Sequence, residues 1–153
     1  MRKKILLIIG GIILFGIFSY YLAWSFSPGS YSRAETYELN ISEKNLIKII
    51  NEVKTENDLK TNSFADNKDK HWNSIYFEYK DKKQIIHTLT RPKNKTKTIF
   101  YFASYKSKKD LGNWISANKY FWWWKNSQAK TEFEKRILEK IKGKIEFGIY
   151  ERK

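Results

Sequence analysis

The fold of this chain is decided by residues 72–105, WNSIYFEYKDKKQIIHTLTRPKNKTKTIFYFASY, where apolar and polar side chains alternate along three successive segments. A period of two with many aromatic and β-branched residues is typical of strands that bury one face. The pattern predicts strands over residues 72–80, 84–91 and 98–105. A tight turn at Asp81 and Lys82 and a looser turn over residues 92–96 would join them into an antiparallel meander.

Before the meander, residues 36–41 alternate in the same way and predict one more strand. Residues 43–55 then predict an amphipathic helix, with Ser42 as its N-cap. Its apolar stripe consists of Leu46, Ile49, Ile50 and Val53. Residues 56–70 are polar and predict a long exposed loop. Their Asp and Asn residues do not fit a calcium loop, because a lysine takes the third ligand position and no glycine follows.

After the meander, residues 106–125 are less regular and hold many aromatic side chains. Helical spacing returns over residues 128–142, and Gly143 is expected to end that helix. The apolar face consists of Phe133, Ile137, Leu138 and Ile141. Alternation over residues 145–149 predicts a last strand. The expected order is β-α-β-β-β-α-β, which predicts an α+β fold: a mainly antiparallel sheet with two helices on one face.

An uninterrupted apolar run over residues 5–24 precedes all of this and contains no charge and no proline. As a helix it would span about 30 Å, the thickness of the hydrocarbon core of a bilayer. Tyr20, Tyr21 and Trp24 close the run in the manner of an interfacial aromatic belt. We predict a basic cytoplasmic flank over 1–4, a transmembrane signal-anchor helix over 5–25, a linker over 26–35 and an extracytoplasmic domain over 36–153.

The basic residues near this span predict its orientation. Arg2, Lys3 and Lys4 precede it, whereas the positive charges that follow are diluted by carboxylates. The positive-inside rule then leaves the domain on the periplasmic side of a bacterial inner (cytoplasmic) membrane. An alternative is a signal peptide cleaved near Ser25, which would release a secreted protein. The apolar core is longer than the 7–15 residues of an ordinary signal peptide, which favours the anchor.

The charge of the chain predicts an anionic partner. Lysine and arginine number 30 against 16 carboxylates, and three of the basic residues precede the span, so about +11 belongs to the rest. Such a charge suits a membrane surface, an acidic protein or an acidic envelope polymer. The predicted topology argues against nucleic acid. The chain has no cysteine, which excludes disulfides and thiolate metal sites.

Catalytic motifs are not evident. The predicted hairpin places His87 opposite Tyr76 or Phe77, with His71 about 17 Å further along at about 3.3 Å per residue, so the two histidines cannot share a metal. There is no Gly-x-Ser-x-Gly elbow and no glycine-rich phosphate loop. We therefore assign no catalytic, metal-binding or cofactor-binding residue and expect a protein that is not an enzyme.

The segment with the most unusual composition is residues 120–124, five aromatic residues in a row that Lys119 and Lys125 flank. Side chains in a strand alternate and those in a helix rotate, so they cannot all face one core. Three interpretations stay open: a loop that covers the sheet with two or three rings, a membrane contact, or a face that recognises a sugar, peptide or protein.

Two basic runs at predicted strand ends would meet at one edge of the sheet and join this candidate surface. The full set of candidate interaction residues is Trp114, Tyr120, Trp122, Trp123, Trp124, Lys119, Lys125, Lys82, Lys83, Lys106, Lys108 and Lys109. The sequence thus favours a membrane-anchored, non-catalytic interaction or ligand-binding module. Alternatives are an immunity or inhibitor protein against an envelope-acting toxin, and a small enzyme whose site the sequence does not reveal.

Overall fold

A computed structural model describes residues 2–26, 31–69, 71–108 and 113–150. The chain divides into two compact units, Met1–Ser32 and Arg33–Lys153. The first unit contains helix α1, Arg2–Ser25. Its stretch Lys3–Ser25 is long and apolar enough to cross a membrane, as the sequence predicted.

The second unit is an α+β domain built on an antiparallel sheet, which confirms the predicted fold class. Its elements are β1 Glu35–Leu39, α2 Glu43–Glu56, β2 Asn67–Lys68, β3 Asn73–Tyr79, β4 Gln84–Pro92, β5 Thr98–Ser107, β6 Ile115–Ser116, a 3₁₀ turn Trp123–Lys125, α3 Ser127–Phe133, a π turn Glu134–Leu138 and α4 Glu139–Tyr150. The strand order is β1-β5-β4-β3-β2, and β6 pairs with β5 beside β1.

The core lies between the helices and one face of the sheet. Strands β3, β4 and β5 supply Ile75, Phe77, Tyr79, Ile86, Phe100 and Phe102, and the helices supply Leu46, Ile50, Val53, Phe133, Ile137, Leu138 and Ile141. Phe133 is central, because its ring stacks on Phe102 with centroids 4.6 Å apart and lies 5.7 Å from Phe100. The wide π turn that follows Phe133 keeps both Ile137 and Leu138 buried.

The opposite face of the sheet carries a second, thinner aromatic layer. Ile85 and Leu89 point to this face and are fully buried, although they lie outside the main core. The ring of Tyr76 stacks on His87 at 4.8 Å, and Phe64 and Trp114 pack beside them. Loop residues therefore cover part of a sheet face that a simple two-layer fold would leave in water.

The predicted last strand is wrong. Residues 145–149 belong to α4, and Gly143 does not end the helix. The short alternation of apolar residues there coincides with a longer helical stripe, because Ile137, Ile141 and Ile145 recur at four-residue spacing and all contact the core. Lys144 adds ion pairs to Glu52 and Glu56 of α2 at 3.0 and 2.7 Å. Packing against α2 therefore stabilises a helix, and not a strand, over residues 145–149.

Two short strands were missed. β2 lies inside the predicted loop, and β6 lies inside the irregular segment 106–125. Two residues are too short to show a period in sequence, and both strands form only because a longer strand offers its edge. Ser42 occupies the predicted N-cap position of α2, but its side chain makes no capping hydrogen bond.

The outer edge of β3 is occupied along most of its length. Beyond β2, the amide of Tyr76 donates to Asp66 Oδ1 at 2.9 Å, and the amide of Glu78 donates to the Leu59 carbonyl at 2.9 Å. Lys54 also donates to Asp66, at 2.7 Å. The segment between α2 and β2 therefore lies along β3 as an irregular continuation of the sheet.

Candidate functional site

Five aromatic side chains follow one another at the entrance to α3, and none of these five is buried. Trp122, Trp123 and Trp124 are 43%, 68% and 51% exposed. The ring of Trp122 stacks on Trp124 with centroids 4.9 Å apart. The edges of Phe121 and Trp123 meet this pair at 4.9 and 6.0 Å. The rings pack on one another and present a continuous aromatic surface to solvent. We name residues 120–125 the tryptophan turn.

A buried asparagine holds the backbone of the tryptophan turn. Asn126 is only 5% exposed, and its side-chain amide closes a ring with Tyr120. It donates to the Tyr120 carbonyl at 2.8 Å and accepts from the Tyr120 amide at 3.0 Å. Ser127 Oγ donates to the Trp124 carbonyl at 2.7 Å. Polar backbone groups are satisfied on the inside of the turn, so the rings are held outward at little further entropic cost.

The tryptophan turn adjoins the place where the chain enters the domain. The Asn118 amide donates to the Arg33 carbonyl at 3.0 Å, and its side chain donates to Glu35 at 2.9 Å. Lys130 in α3 reaches the same carboxylate at 3.0 Å. This arrangement follows from the sheet, because β1 and β6 both pair with β5 along one edge. The sequence did not predict this proximity, because it depends on β6, which was not predicted.

The two lysines of this region keep their positive charge available. Lys119 Nζ lies 5.7 Å from the centroid of Tyr120, a cation–π distance, and Lys125 closes the 3₁₀ turn. Within the described ranges neither lysine forms an ion pair. The site therefore combines exposed indole rings with two cations at its ends.

The remaining predicted lysines lie outside the tryptophan turn, although Lys82 lines the same small cavity as Lys125. Lys82 and Lys83 do meet the other basic run at one end of the sheet, because the Lys108 amide donates to the Lys83 carbonyl. However, Lys82 binds Glu132 at 2.7 Å and Lys108 binds Glu78 at 2.9 Å. The predicted basic patch is thus partly neutralised by carboxylates. Lys109 lies outside the described residues.

Glu78 is one of the carboxylates that neutralise lysines at this end of the sheet. Burial would raise the pKa of its carboxyl group, but the hydrogen bonds from Lys108 and Thr61 and the charge of Lys108 outweigh burial and leave the pKa lowered. Glu78 is therefore a carboxylate that binds a lysine, and it does not have the raised pKa expected of a general acid.

Trp114 and Lys106 belong to the outer aromatic layer. Lys106 Nζ lies 4.5 Å from the Phe64 ring centroid and 5.0 Å from that of Trp114. The ring contacts of Trp114 in the described part of the chain are to Phe64, Tyr76 and His87. Trp114 thus covers the sheet and contributes no ring contact to the tryptophan turn among those residues.

His87 is opposite Tyr76 in the strand register, as the hairpin predicted. Burial lowers the pKa of the imidazole to about 4. Its Nε2 lies 3.4 Å from Ser74 Oγ. A neutral ring between aromatic neighbours is what packing requires, whereas a general base at neutral pH would need a higher pKa.

His71 lies in a different cleft, of about 250 Å³, together with Glu43, Asp69 and Arg91. The backbone amides of His71 and Trp72 donate to Asp69 Oδ1 at 2.7 and 2.6 Å and lower the pKa of Asp69. Asp69 therefore shapes a turn. In the described ranges no three or more His, Cys, Asp or Glu side chains are placed to hold a metal ion.

The sequence also contains two Ser-x-x-Lys spacings, which begin at Ser116 and Ser127. Such a spacing can mark a serine nucleophile with a lysine base. Ser127 Oγ instead donates to the Trp124 carbonyl, and its lysine, Lys130, binds Glu35. These side chains close the tryptophan turn and fix the start of β1.

A small cavity of about 210 Å³ lies beside the turn, and sequence reasoning did not find it. Its lining includes Lys125, Gln128 and Glu132 from the helical side and Tyr79 and Tyr105 from the sheet. The Tyr79 hydroxyl is buried, and in the described part of the chain it has no hydrogen-bond partner. Burial, with a smaller contribution from Glu132, raises the pKa of Tyr79.

No known family model matches the chain, and neither the curated proteins nor the solved structures contain a match to it.

Proposed function

We propose that this protein is a non-catalytic binding domain that a single N-terminal helix holds at the bacterial cytoplasmic membrane, with the domain on the extracytoplasmic side. The tryptophan turn is the observation that carries the proposal. Three adjacent indole rings, all of them exposed, stand on a hydrogen-bonded frame. Large rings that are exposed and already ordered are typical of contact surfaces, because little entropy is lost on binding.

The anchor supports the location. The stretch Lys3–Ser25 has the length and composition of a membrane span. The basic residues that precede it favour a cytoplasmic N-terminus.

The charge supports an anionic partner. The domain keeps an excess of basic residues, and Lys119 and Lys125 border the rings without ion pairs among the described side chains. An acidic protein, an acidic envelope polymer or an anionic membrane surface would each match these charges.

Photo-crosslinking in cells tests the proposal. A photoreactive phenylalanine analogue replaces Tyr120 in the full-length chain, and a second chain carries it at Phe147, an exposed ring outside the turn. We expect adducts from position 120 in clear excess over position 147. Because exposed tryptophans commonly dominate contact energy, Trp122→Ala, Trp123→Ala and Trp124→Ala together should lower the yield by about tenfold or more.

Equal yields from the two positions would refute a binding role for the tryptophan turn. So would a yield that the three alanine substitutions leave unchanged in a chain that is still folded.

A further inference from the structure

We infer that the partner of the tryptophan turn is the surface of the membrane that holds α1, with indole rings in the interfacial layer and Lys119 and Lys125 on anionic headgroups. This inference rests on the proposed binding function and specifies its partner.

The side chains are of the type that bilayer interfaces select. Tryptophan combines a large apolar ring with one polar N–H group, and it is enriched at the boundary between headgroups and hydrocarbon. Lysine extends its charge from an apolar stem toward phosphate. Three indoles of the turn lie between Lys119 and Lys125, within seven residues, 119–125. Apolar rings paired with cations are typical of peripheral membrane contacts.

The connection to the anchor brings the same surface within reach of lipid. The domain begins at Arg33, whose carbonyl accepts from Asn118, two residues before the turn. Glu35 fixes this junction further through Asn118 and Lys130. Helix α1 ends at Ser25, eight peptide steps before Arg33. Since an extended chain covers at most about 3.6 Å per residue, the junction lies no more than about 30 Å from the end of α1.

Carboxylates neutralise several lysines at the turns of the meander, although Lys83 and Lys95 in the same turns form no ion pair among the described residues. At the β3–β4 turn, Lys80, Lys82 and Lys108 each contact a carboxylate. At the β4–β5 turn, Lys93 and Lys97 share Glu38. Lys119 and Lys125 take part in no such pair within the ranges that the structure describes. Anionic headgroups near the membrane surface would be their counterions.

Fluorescence quenching by brominated lipid tests the inference on the full-length chain in nanodiscs of phosphatidylcholine and phosphatidylglycerol. Trp24→Phe first removes the indole of the anchor, because lipid would quench it in any case. The same chain with Trp122→Phe, Trp123→Phe and Trp124→Phe then reports only Trp72 and Trp114. The difference between the two chains is the emission of the turn.

We expect bromine high on the acyl chains to quench the emission of the turn about twofold, and Trp72 and Trp114 much less, because only interfacial rings approach the bromine. Lys119→Gln with Lys125→Gln should remove the dependence of quenching on phosphatidylglycerol. Lys95→Gln, in the β4–β5 turn at the other end of β5, is the matched control and should leave it unchanged. All three lysines are exposed, so these substitutions do not threaten the fold.

Unquenched emission from the turn in a folded chain overturns the membrane contact. If position 120 still forms adducts with a protein or a glycan in cells, the binding function stands and only the choice of partner fails. If position 120 forms no adducts either, both proposals fail. Quenching that is independent of phosphatidylglycerol overturns the role of the two lysines.

Discussion

His87 illustrates how its surroundings set the chemistry of one side chain. Its ring lies against Tyr76 and Trp114, at 4.8 and 5.5 Å between centroids. Burial in this layer lowers its pKa to about 4, since a charged imidazole would lose hydration there. In the unfolded chain the same group titrates near its usual value of about 6.5.

The stability of the domain should therefore depend on the protonation of His87. Between these two values the unfolded chain binds the proton more readily, so this contribution is complete above about pH 6.5 and is lost as the pH falls toward about 4. Relative to His87→Phe, the wild type should lose about 2–3 kcal/mol of unfolding free energy between about pH 7.5 and about pH 4.5. Urea unfolding of the full-length chain in detergent micelles, followed by tryptophan fluorescence, measures this loss.

His87→Phe is the control for the wild type, because the phenyl ring can still stack on Tyr76 and does not titrate. Parallel pH profiles for the two chains would show that His87 has an ordinary pKa in the folded protein.

At the scale of elements, the longest patterns were predicted and the shortest were not. Strands β3, β4 and β5 span 7, 9 and 10 residues and lie within the predicted alternating segments or close to them. Helix α2 was expected over 43–55 and spans Glu43–Glu56. Strands β2 and β6, by contrast, exist only as partners of another edge. The end of α4 was predicted wrongly, because an alternation of only three apolar residues over 145–149 fits both a strand and a helix. Packing against the core decides between the two structures.

Gly143 gives a direct test of that helix. Among the described residues, a methyl group added at its Cα would meet no heavy atom within 4 Å apart from its chain neighbours and the backbone of its own helix. Because alanine loses less backbone entropy than glycine in a helix, Gly143→Ala should raise the free energy of unfolding by about 0.5–1 kcal/mol. Lys142→Ala on the same helix is the matched control and should change it by only a few tenths. Urea midpoints with unchanged slopes measure both.

A destabilised Gly143→Ala chain would contradict the helix through this position. It would favour the glycine stop and following strand that alternation over 145–149 suggested.

The candidate site was predictable in part, for a physical reason. Five consecutive aromatic residues had to leave rings outside any core, and the three tryptophans are indeed exposed. Asn126 was not recognised, because an asparagine next to a helix is common and only its two bonds to Tyr120 reveal its role. Trp114 looked similar in sequence, yet it packs on His87 and Tyr76, since the face of a residue depends on the register of the sheet.

At the scale of the whole molecule, an apolar helix and an α+β domain are separate compact units of one chain. With the proposed orientation, the helix would let so basic a domain contact a membrane without competing for nucleic acid. The proposed orientation follows from the charges beside the span.

A reporter fused after residue 153 measures the orientation of the chain. The mass of the chain released from the reporter shows whether it has been cut. We expect an active reporter on the extracytoplasmic side and an uncut chain of 18.4 kDa. A reporter active only in the cytoplasm would reverse the orientation. A chain cut near Ser25 would instead show a secreted domain without a tether.

The loop between α2 and β2 also affects the tendency of the domain to aggregate at high local concentration. A strand as aromatic and β-branched as β3 would, with a bare edge, recruit the same strand from a neighbour and start a cross-β stack. Asp66 and Leu59 already accept from the Tyr76 and Glu78 amides, and Lys54 fixes Asp66 in place. The irregular segment, polar and unremarkable in sequence, thereby protects the sheet from aggregation.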